Sequence, residues 1–363
     1  MRILIVTPWY PTQRAPHNGV FVAREAAALA TAHDVVVLHL DWTGGAGDTL
    51  LSPQGVNARR VDLRRVRPLD YVRARRLVRA AARCADVVHT HALTGLLPWL
   101  LGRPSDLPWV HTEHWSALTS PESLSPALRA ALTVLRPLLN RPDVVIAEST
   151  RLADAVRAHR RGAVAIVPCV VPPAPLVDPP EAPPLRLIGI GGLVSRKGPL
   201  LAVAAVADLA SRGVDVRLVW AGEGPQRPAV EAAARRLGVE DRVALRGALP
   251  PSEVLAELVA AHLLLLPTQG DNFCVATAES LVQGRPIVSG SNTGAVDYAQ
   301  PHVSRFVVEQ TGRAYADAVL DLREATARLS AQDVATTVQG RFTSETVRAL
   351  LDDVYRSAGV ASG

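Results

Sequence analysis

Two kinds of hydrophobic pattern alternate along the chain almost from end to end. Short β-branched apolar runs, typical of strands covered on both faces, are separated by alanine- and leucine-rich stretches of helical length. In the first half the runs predict strands over 3–7, 34–40, 86–91, 109–114, 144–149 and 164–168, with helices such as 20–30 and 71–84 between them. Seven prolines over 172–184 then interrupt both periods and predict an extended linker. Alternation restarts with strands over 186–191, 215–221, 243–246, 263–267, 286–289 and 306–308. This pattern predicts an α/β protein of two Rossmann-like, doubly wound parallel-sheet domains, residues 1–170 and 186–340, joined by a linker over 171–185. Ligands of such sheets bind beyond the carboxyl ends of the strands, so the functional residues are expected in loops that follow strands, around an interdomain cleft.

Composition narrows the function classes. A chain of 363 residues, 48% hydrophobic and 20% charged, can bury two cores. No basic segment followed by an apolar run opens it, and nowhere do eighteen uncharged apolar residues stand together, so neither a signal peptide nor a membrane span is expected. Cys84, Cys169 and Cys274 lie far apart without a CxxC pair, which excludes a disulfide framework or thiolate zinc site and predicts a cytoplasmic setting. The net charge of +5 is carried almost wholly by arginine. Lys197 is the only lysine, which makes its ammonium group a pointer to chemistry. Nucleic acid is not expected as a partner: aromatic residues are 4% of the chain and no zinc-finger or RNA-binding aromatic motif occurs.

Three loops of the second half carry candidate chemistry. After its first strand comes Gly191-Gly192-Leu193-Val194-Ser195-Arg196-Lys197-Gly198, where glycines admit a ligand close to the backbone and two cations stand at the start of a helix. That outlines a diphosphate site, with a solvated turn as the alternative. Val194 stands where a nicotinamide fingerprint needs its third glycine, and no Ser or Thr follows Lys197 as a P-loop requires. The next strand leads into Ala221-Gly222-Glu223-Gly224-Pro225. A third loop, from Asp271 through Phe273, Cys274 and Val275 to Glu279, offers two carboxylates and the first free amides of a helix, groups suited to hydroxyls and an anion.

With these loops in view, the sequence resembles the retaining family-4 glycosyltransferases of the GT-B fold, nearly end to end. The resemblance rests on the opening strand with Gly19, Val110-His111-Thr112-Glu113-His114-Trp115, the Gly-Gly-Leu…Arg-Lys-Gly loop, Ala-Gly-Glu-Gly-Pro, the carboxylate-x7-Glu segment with Gly284-Arg285-Pro286, and a tail from Arg341 to Tyr355. It implies a hexosyltransferase using a nucleoside diphosphate sugar, by family habit UDP-linked, and an acceptor that is a sugar, a lipid-linked molecule or a small metabolite. It implies no cofactor and no metal; the absence of any Asp-x-Asp argues against the metal-dependent GT-A enzymes. By the resemblance Arg196 and Lys197 hold the donor diphosphate, Glu279 the ribose, and the amides near Phe273, Cys274 and Val275 the donor sugar or phosphate. Gly192, Gly222 and Glu223 border the donor, Gly19 lets a first-domain loop approach the diphosphate, and Asp271 and His114 stand near the reacting carbon. The last helix, about 341–358, is expected to pack back on the first domain.

The departures are specific. Asp271 stands where the family usually has Glu, one methylene longer, and Cys274 where it commonly has Gly. His111 reads as a packed histidine, and His91 equally as packed or as a loop residue. No His/Asp cluster shows metal spacing along the chain. Between Arg59 and Arg83 lie ten arginines and two acids, read first as a solvated face and otherwise as peripheral contact with an anionic membrane. Two other functions stay open: a nucleotide-sugar epimerase of similar build, and a non-catalytic nucleotide-sugar binding protein.

Overall fold

Residues 1–13, 15, 17–44, 49–51, 53–121 and 124–360 are described by a computed structural model. Met1–Val170 with Arg341–Gly363 make unit 1, and Val171–Gly340 make unit 2.

Unit 1 is built on β1 (Arg2–Thr7), β2 (Asp34–Asp41), β3 (Thr49–Leu51), β4 (Ala58–Asp62), β5 (Val87–His91), β6 (Trp109–Glu113), β7 (Val144–Ala147) and β8 (Ala163–Ile166). They lie in the order β3-β4-β2-β1-β5-β6-β7-β8, and only β3 runs antiparallel to its neighbour. The helices here are α1 (Val20–Ala30), α2 (Pro68–Ala82), α3 (Pro126–Leu135) and α4 (Thr150–Arg157). Ile3, Leu4, Ile5 and Val6 of the central β1 are all buried, as expected of a strand covered on both faces. The start of α4 is set by Ser149, whose hydroxyl accepts from the Leu152 amide, a cap contributing about 1 kcal/mol.

The hydrophobic pattern missed β3 and β4, because β4 reads Ala-Arg-Arg-Val-Asp. One of those arginines is core structure: Arg60 is buried and its Nε donates to Asp41 Oδ2 of β2 at 2.7 Å. It does not belong to the solvated face first read for this stretch.

Unit 2 contains β9 (Leu185–Ile190), β10 (Val216–Ala221), β11 (Val243–Gly247), β12 (Leu263–Leu266), β13 (Ile287–Gly290) and β14 (Ser304–Val307), with α5 (Pro199–Ser211), α6 (Arg227–Arg236), α7 (Pro251–Val259), α8 (Val275–Val282), α9 (Gly312–Ala325) and α10 (Ala331–Thr336). The sheet is parallel throughout, in the order β11-β10-β9-β12-β13-β14. A side chain at Gly189 of β9 would meet the Trp220 ring at 2.2 Å. That glycine therefore serves packing rather than a ligand.

The chain ends with α11 (Ser344–Ser357), capped by Thr343. Its stripe Val347, Leu351 and Tyr355 shares one core with Val22, Ala26 and Leu29 of α1 and Ile3 and Ile5 of β1. Winding reverses between β1 and β5 in unit 1 and between β9 and β12 in unit 2. The loops leaving those strands are where an open α/β sheet binds ligands. No helix among the described residues is long and apolar enough to cross a membrane.

Candidate active site

The switch point of unit 2 is formed by backbone packed on backbone. Gly191 and Gly222 hold φ of +146° and +148°. A Cβ on Gly222 would stand 1.9 Å from the Gly191 carbonyl, and one on Gly224 2.5 Å from that of Leu193. The Gly191 and Leu193 amides donate to Ala221 O and Glu223 O at 2.9 and 3.0 Å, so the loops after β9 and β10 form one layer. Gly192, singled out in the sequence, is under less constraint, since its added Cβ would make only an ordinary 3.5 Å contact. Gly198 begins α5 at φ +69°, against the Pro267 carbonyl at the end of β12.

Arg196 and Lys197 precede α5 on this layer. Lys197 Nζ donates to Asp271 Oδ2, and Arg196 Nη1 lies 3.8 Å from the same oxygen while donating to Gly270 O. Lys197 and Asp271 are largely buried, their side chains 15% and 18% exposed. Burial disfavours both charges, but mutual attraction outweighs it: the Lys197 ammonium is held above its ordinary range and the Asp271 carboxyl below. The shortened carboxylate thus reaches the lysine. Cys274 is the cap residue of α8 at φ +63°, a conformation that costs a side-chain-bearing residue about 1–2 kcal/mol. Tyr298, which the sequence did not single out, holds it there: its hydroxyl donates to the Phe273 and Cys274 carbonyls at 2.9 Å, and its ring packs 5.1 Å from that of Phe273. No side chain caps α8, whose first residue is Val275. Glu279 lies one turn on, half-buried. Glu223 is turned to Arg227, whose Nε donates to it at 2.9 Å.

Unit 1 holds the other candidates. Gly19 caps α1 at φ +67°, and a Cβ there would stand 2.3 Å from the Trp9 carbonyl, so glycine is required where the β1 loop meets its helix. His114 follows β6 and is almost fully enclosed. Its Nδ1 donates to Glu148 Oε1 at 2.7 Å, its Nε2 lies 3.0 Å from His91 Nδ1, and its ring packs 4.5 Å from that of Phe21. Burial lowers its proton affinity, yet the carboxylates of Glu148, Glu25 and Glu113 more than offset this and hold the imidazole above its ordinary value. Cys169 also donates to Glu148 Oε1, at 2.8 Å. His111 is fully buried between Thr90 and Glu113, as its packed reading expects.

Although no metal spacing is visible along the chain, the fold brings ligand atoms of Glu25, His89 and His91 within 4.8 Å of one another. Glu25, His89 and Glu148 were missed because each lies on a different element. The same unit has a cavity of about 200 Å³ beyond β1 and β2, lined by Trp9, His39, Asp41, Trp42, Arg60 and Arg65 among others. Among the described residues, His39 Nδ1 and Trp42 Nε1 have no hydrogen-bond partner.

Arg196, Lys197, Asp271 and Cys274 are therefore assembled together in unit 2, with Gly191, Gly222 and the start of α8, while Glu223 stands with Arg227. Gly19 and His114 belong to unit 1.

Comparison with known proteins agrees with this architecture. Residues 19–174 match the family described as Glycosyltransferase Family 4, and 184–325 that described as Glycosyl transferases group 1. A 2-deoxystreptamine glucosyltransferase of Streptomyces kanamyceticus is 30% identical over 238 residues, 59% of this chain and 61% of that protein. A D-inositol 3-phosphate glycosyltransferase of Corynebacterium aurimucosum is 25% identical over 302 residues, 75% of this chain and 72% of the relative. Among solved structures, sucrose-phosphate synthase from Thermosynechococcus elongatus superposes with a TM-score of 0.80 at 20% identity over 100% of both chains. Anabaena HepE in complex with UDP and glucose gives 0.76 at 16% over 98% of this chain and 100% of its own. The chain belongs to the family-4, group-1 glycosyltransferases and has their GT-B fold of two parallel-sheet α/β domains.

Proposed function

We propose that the protein transfers a hexose-type sugar from a nucleoside diphosphate, UDP by preference, to a hydroxyl of a polyhydroxylated acceptor with retention of configuration. The observation that carries this is the only lysine of the chain, held with Arg196 against Asp271 at the switch point of unit 2, where α8 also begins. Departure of the sugar leaves negative charge on the diphosphate, and two preorganised cations with helix amides stabilise that charge where it forms. Asp271 keeps Lys197 charged and aimed in the unliganded protein, and a bound diphosphate shares the ammonium with it. Glu279, half-buried one turn into α8, takes the ribose diol in this reading. UDP is favoured because the structural neighbour HepE was solved with UDP and glucose.

The acceptor side falls to unit 1. Its cavity beyond β1 and β2 offers the Asp41–Arg60 pair, Arg65 and the unpartnered His39 and Trp42 nitrogens, a lining suited to a polyol or its phosphate. Relatives named for 2-deoxystreptamine and inositol 3-phosphate support that class. The test is release of nucleoside diphosphate from a panel of nucleotide sugars with and without such acceptors, the product's anomeric configuration being read by NMR. Acceptor-dependent release with retention supports the proposal. Conversion of the donor without acceptor would point to an epimerase, and binding without turnover to a binding protein.

A second reading rests on the start of α2, where Val66 and Leu69 are 88% and 79% exposed among Arg64, Arg65 and Arg67. This combination suits peripheral contact with an anionic membrane. Wild type should co-sediment with vesicles containing anionic lipid at low salt and Leu69→Asp should not; failure of the wild type removes the reading.

A further inference from the structure

Beneath α1, α11 and the end of β5, polar atoms converge in the core of unit 1. Glu25 Oε1 lies 3.5 Å from His89 Nδ1 and 3.4 Å from His91 Nε2. Both histidines are fully buried and the Glu25 side chain is 12% exposed. These separations are long for hydrogen bonds, and among the described residues Glu25 Oε1 and His91 Nε2 indeed have no hydrogen-bond partner. They do match the edge of a tetrahedron, which for metal–ligand bonds of about 2.0–2.2 Å measures roughly 3.3–3.6 Å. Tyr355 Oη of α11 stands 2.9 Å from His89 Nδ1, on the same side of that ring.

The outward faces of the rings are arranged as a metal requires. His89 Nε2 lies 2.7 Å from Thr112 Oγ1, so that nitrogen can carry the proton and leave Nδ1 bare. His91 Nδ1 lies 3.0 Å from His114 Nε2, and His114 Nδ1 donates to Glu148 at 2.7 Å. With His114 in its neutral form, one set of tautomers satisfies the whole chain, from Glu148 through His114 to His91, and leaves His91 Nε2 bare as well. Ligating histidines fixed through their other nitrogen by a hydroxyl, imidazole or carboxylate are the usual support of a metal site.

We infer that Glu25, His89 and His91 form a three-ligand binding site for a divalent transition-metal ion of the zinc class, the ion displacing the Tyr355 hydroxyl from His89 Nδ1 and a water completing four-coordination. Imidazole ligands select such an ion over magnesium or calcium, and enclosure by side chains marks the site as structural. A bound ion would tie the first helix to the central strand β5. The inference is independent of the donor chemistry proposed for unit 2.

The test uses the untagged full chain, freed of metal by a chelator, and Zn²⁺ or Co²⁺ alone. Wild type should bind one equivalent, melt at a higher temperature when loaded, and give with Co²⁺ the intense visible band of four-coordinate geometry. Glu25→Gln and His91→Gln should weaken binding by more than about a hundredfold, the upper range for loss of even an outer-shell partner. His302→Gln, an exposed position in unit 2, should bind as wild type does. Absence of the band from wild type, or equal binding by Glu25→Gln, overturns the inference. Should a variant fail to fold in chelator, the wild-type spectrum and stoichiometry decide alone.

Discussion

The two units hold their buried charges differently. In unit 2 the Asp271 carboxylate is met by an ammonium and a guanidinium from adjacent residues, Lys197 and Arg196. In unit 1 the Glu113 and Glu148 carboxylates are met by imidazoles, backbone amides and a thiol, and Glu25 reaches His89 and His91 without a hydrogen bond at Oε1. The first arrangement keeps two cations at the mouth of a helix, ready for an anion. The second distributes protons through a packed interior, where removing one member strands the rest. Chemistry on a charged leaving group suits the first, and fixing strands and helices in register suits the second.

Five substitutions test this contrast. Gly222→Ala forces a side chain onto the Gly191 carbonyl at φ +148°, a cost of about 3 kcal/mol or more in urea unfolding. Gly238→Ala, with open space around it at φ +67°, should cost about 1 kcal/mol. In unit 1, Glu148→Leu strands His114 and Cys169 together and should lower stability by about 2–3 kcal/mol. In unit 2, Asp271→Asn should cost about 2 kcal/mol at pH 7. Because the Asp271 carboxyl is held below its unfolded value, that stabilisation is complete above about pH 4 and is lost as pH falls through the lowered value. The urea midpoints of variant and wild type should therefore differ at pH 7 and converge in acid. Smallest is Cys274→Gly: relief of about 1 kcal/mol of backbone strain offsets the loss of a small buried side chain, and the melting temperature should barely move.

The same contrast explains what could be read from the chain. The unit 2 site stands on short contiguous segments, each a loop after a strand, so the loop sequences pointed to Arg196, Lys197, Asp271, Cys274 and Glu279, and the family resemblance supplied their expected roles. Gly192 and Gly222 were named, yet steric need falls on Gly191, Gly222 and Gly224, because which glycine touches a carbonyl depends on the neighbouring loop. In unit 1 only Gly19 and His114 were named. Glu25, His89, Glu148 and Tyr355 come from α1, β5, the end of β7 and α11, and nothing local distinguishes Glu25 from any other acid on a helix. The strands were legible wherever branched apolar residues dominate. They failed at β4, whose buried Arg60 draws its place from a partner nineteen residues earlier.

The central claim is that Lys197 anchors a nucleoside diphosphate in unit 2. Thermal denaturation of wild type and Lys197→Ala with UDP, other nucleoside diphosphates and NAD tests it most directly. One diphosphate, UDP by preference, should stabilise wild type by about 2.7 kcal/mol at a hundredfold excess over its dissociation constant, and Lys197→Ala should lose most of this. An equal response from the variant, or none from the wild type with any diphosphate, would contradict it.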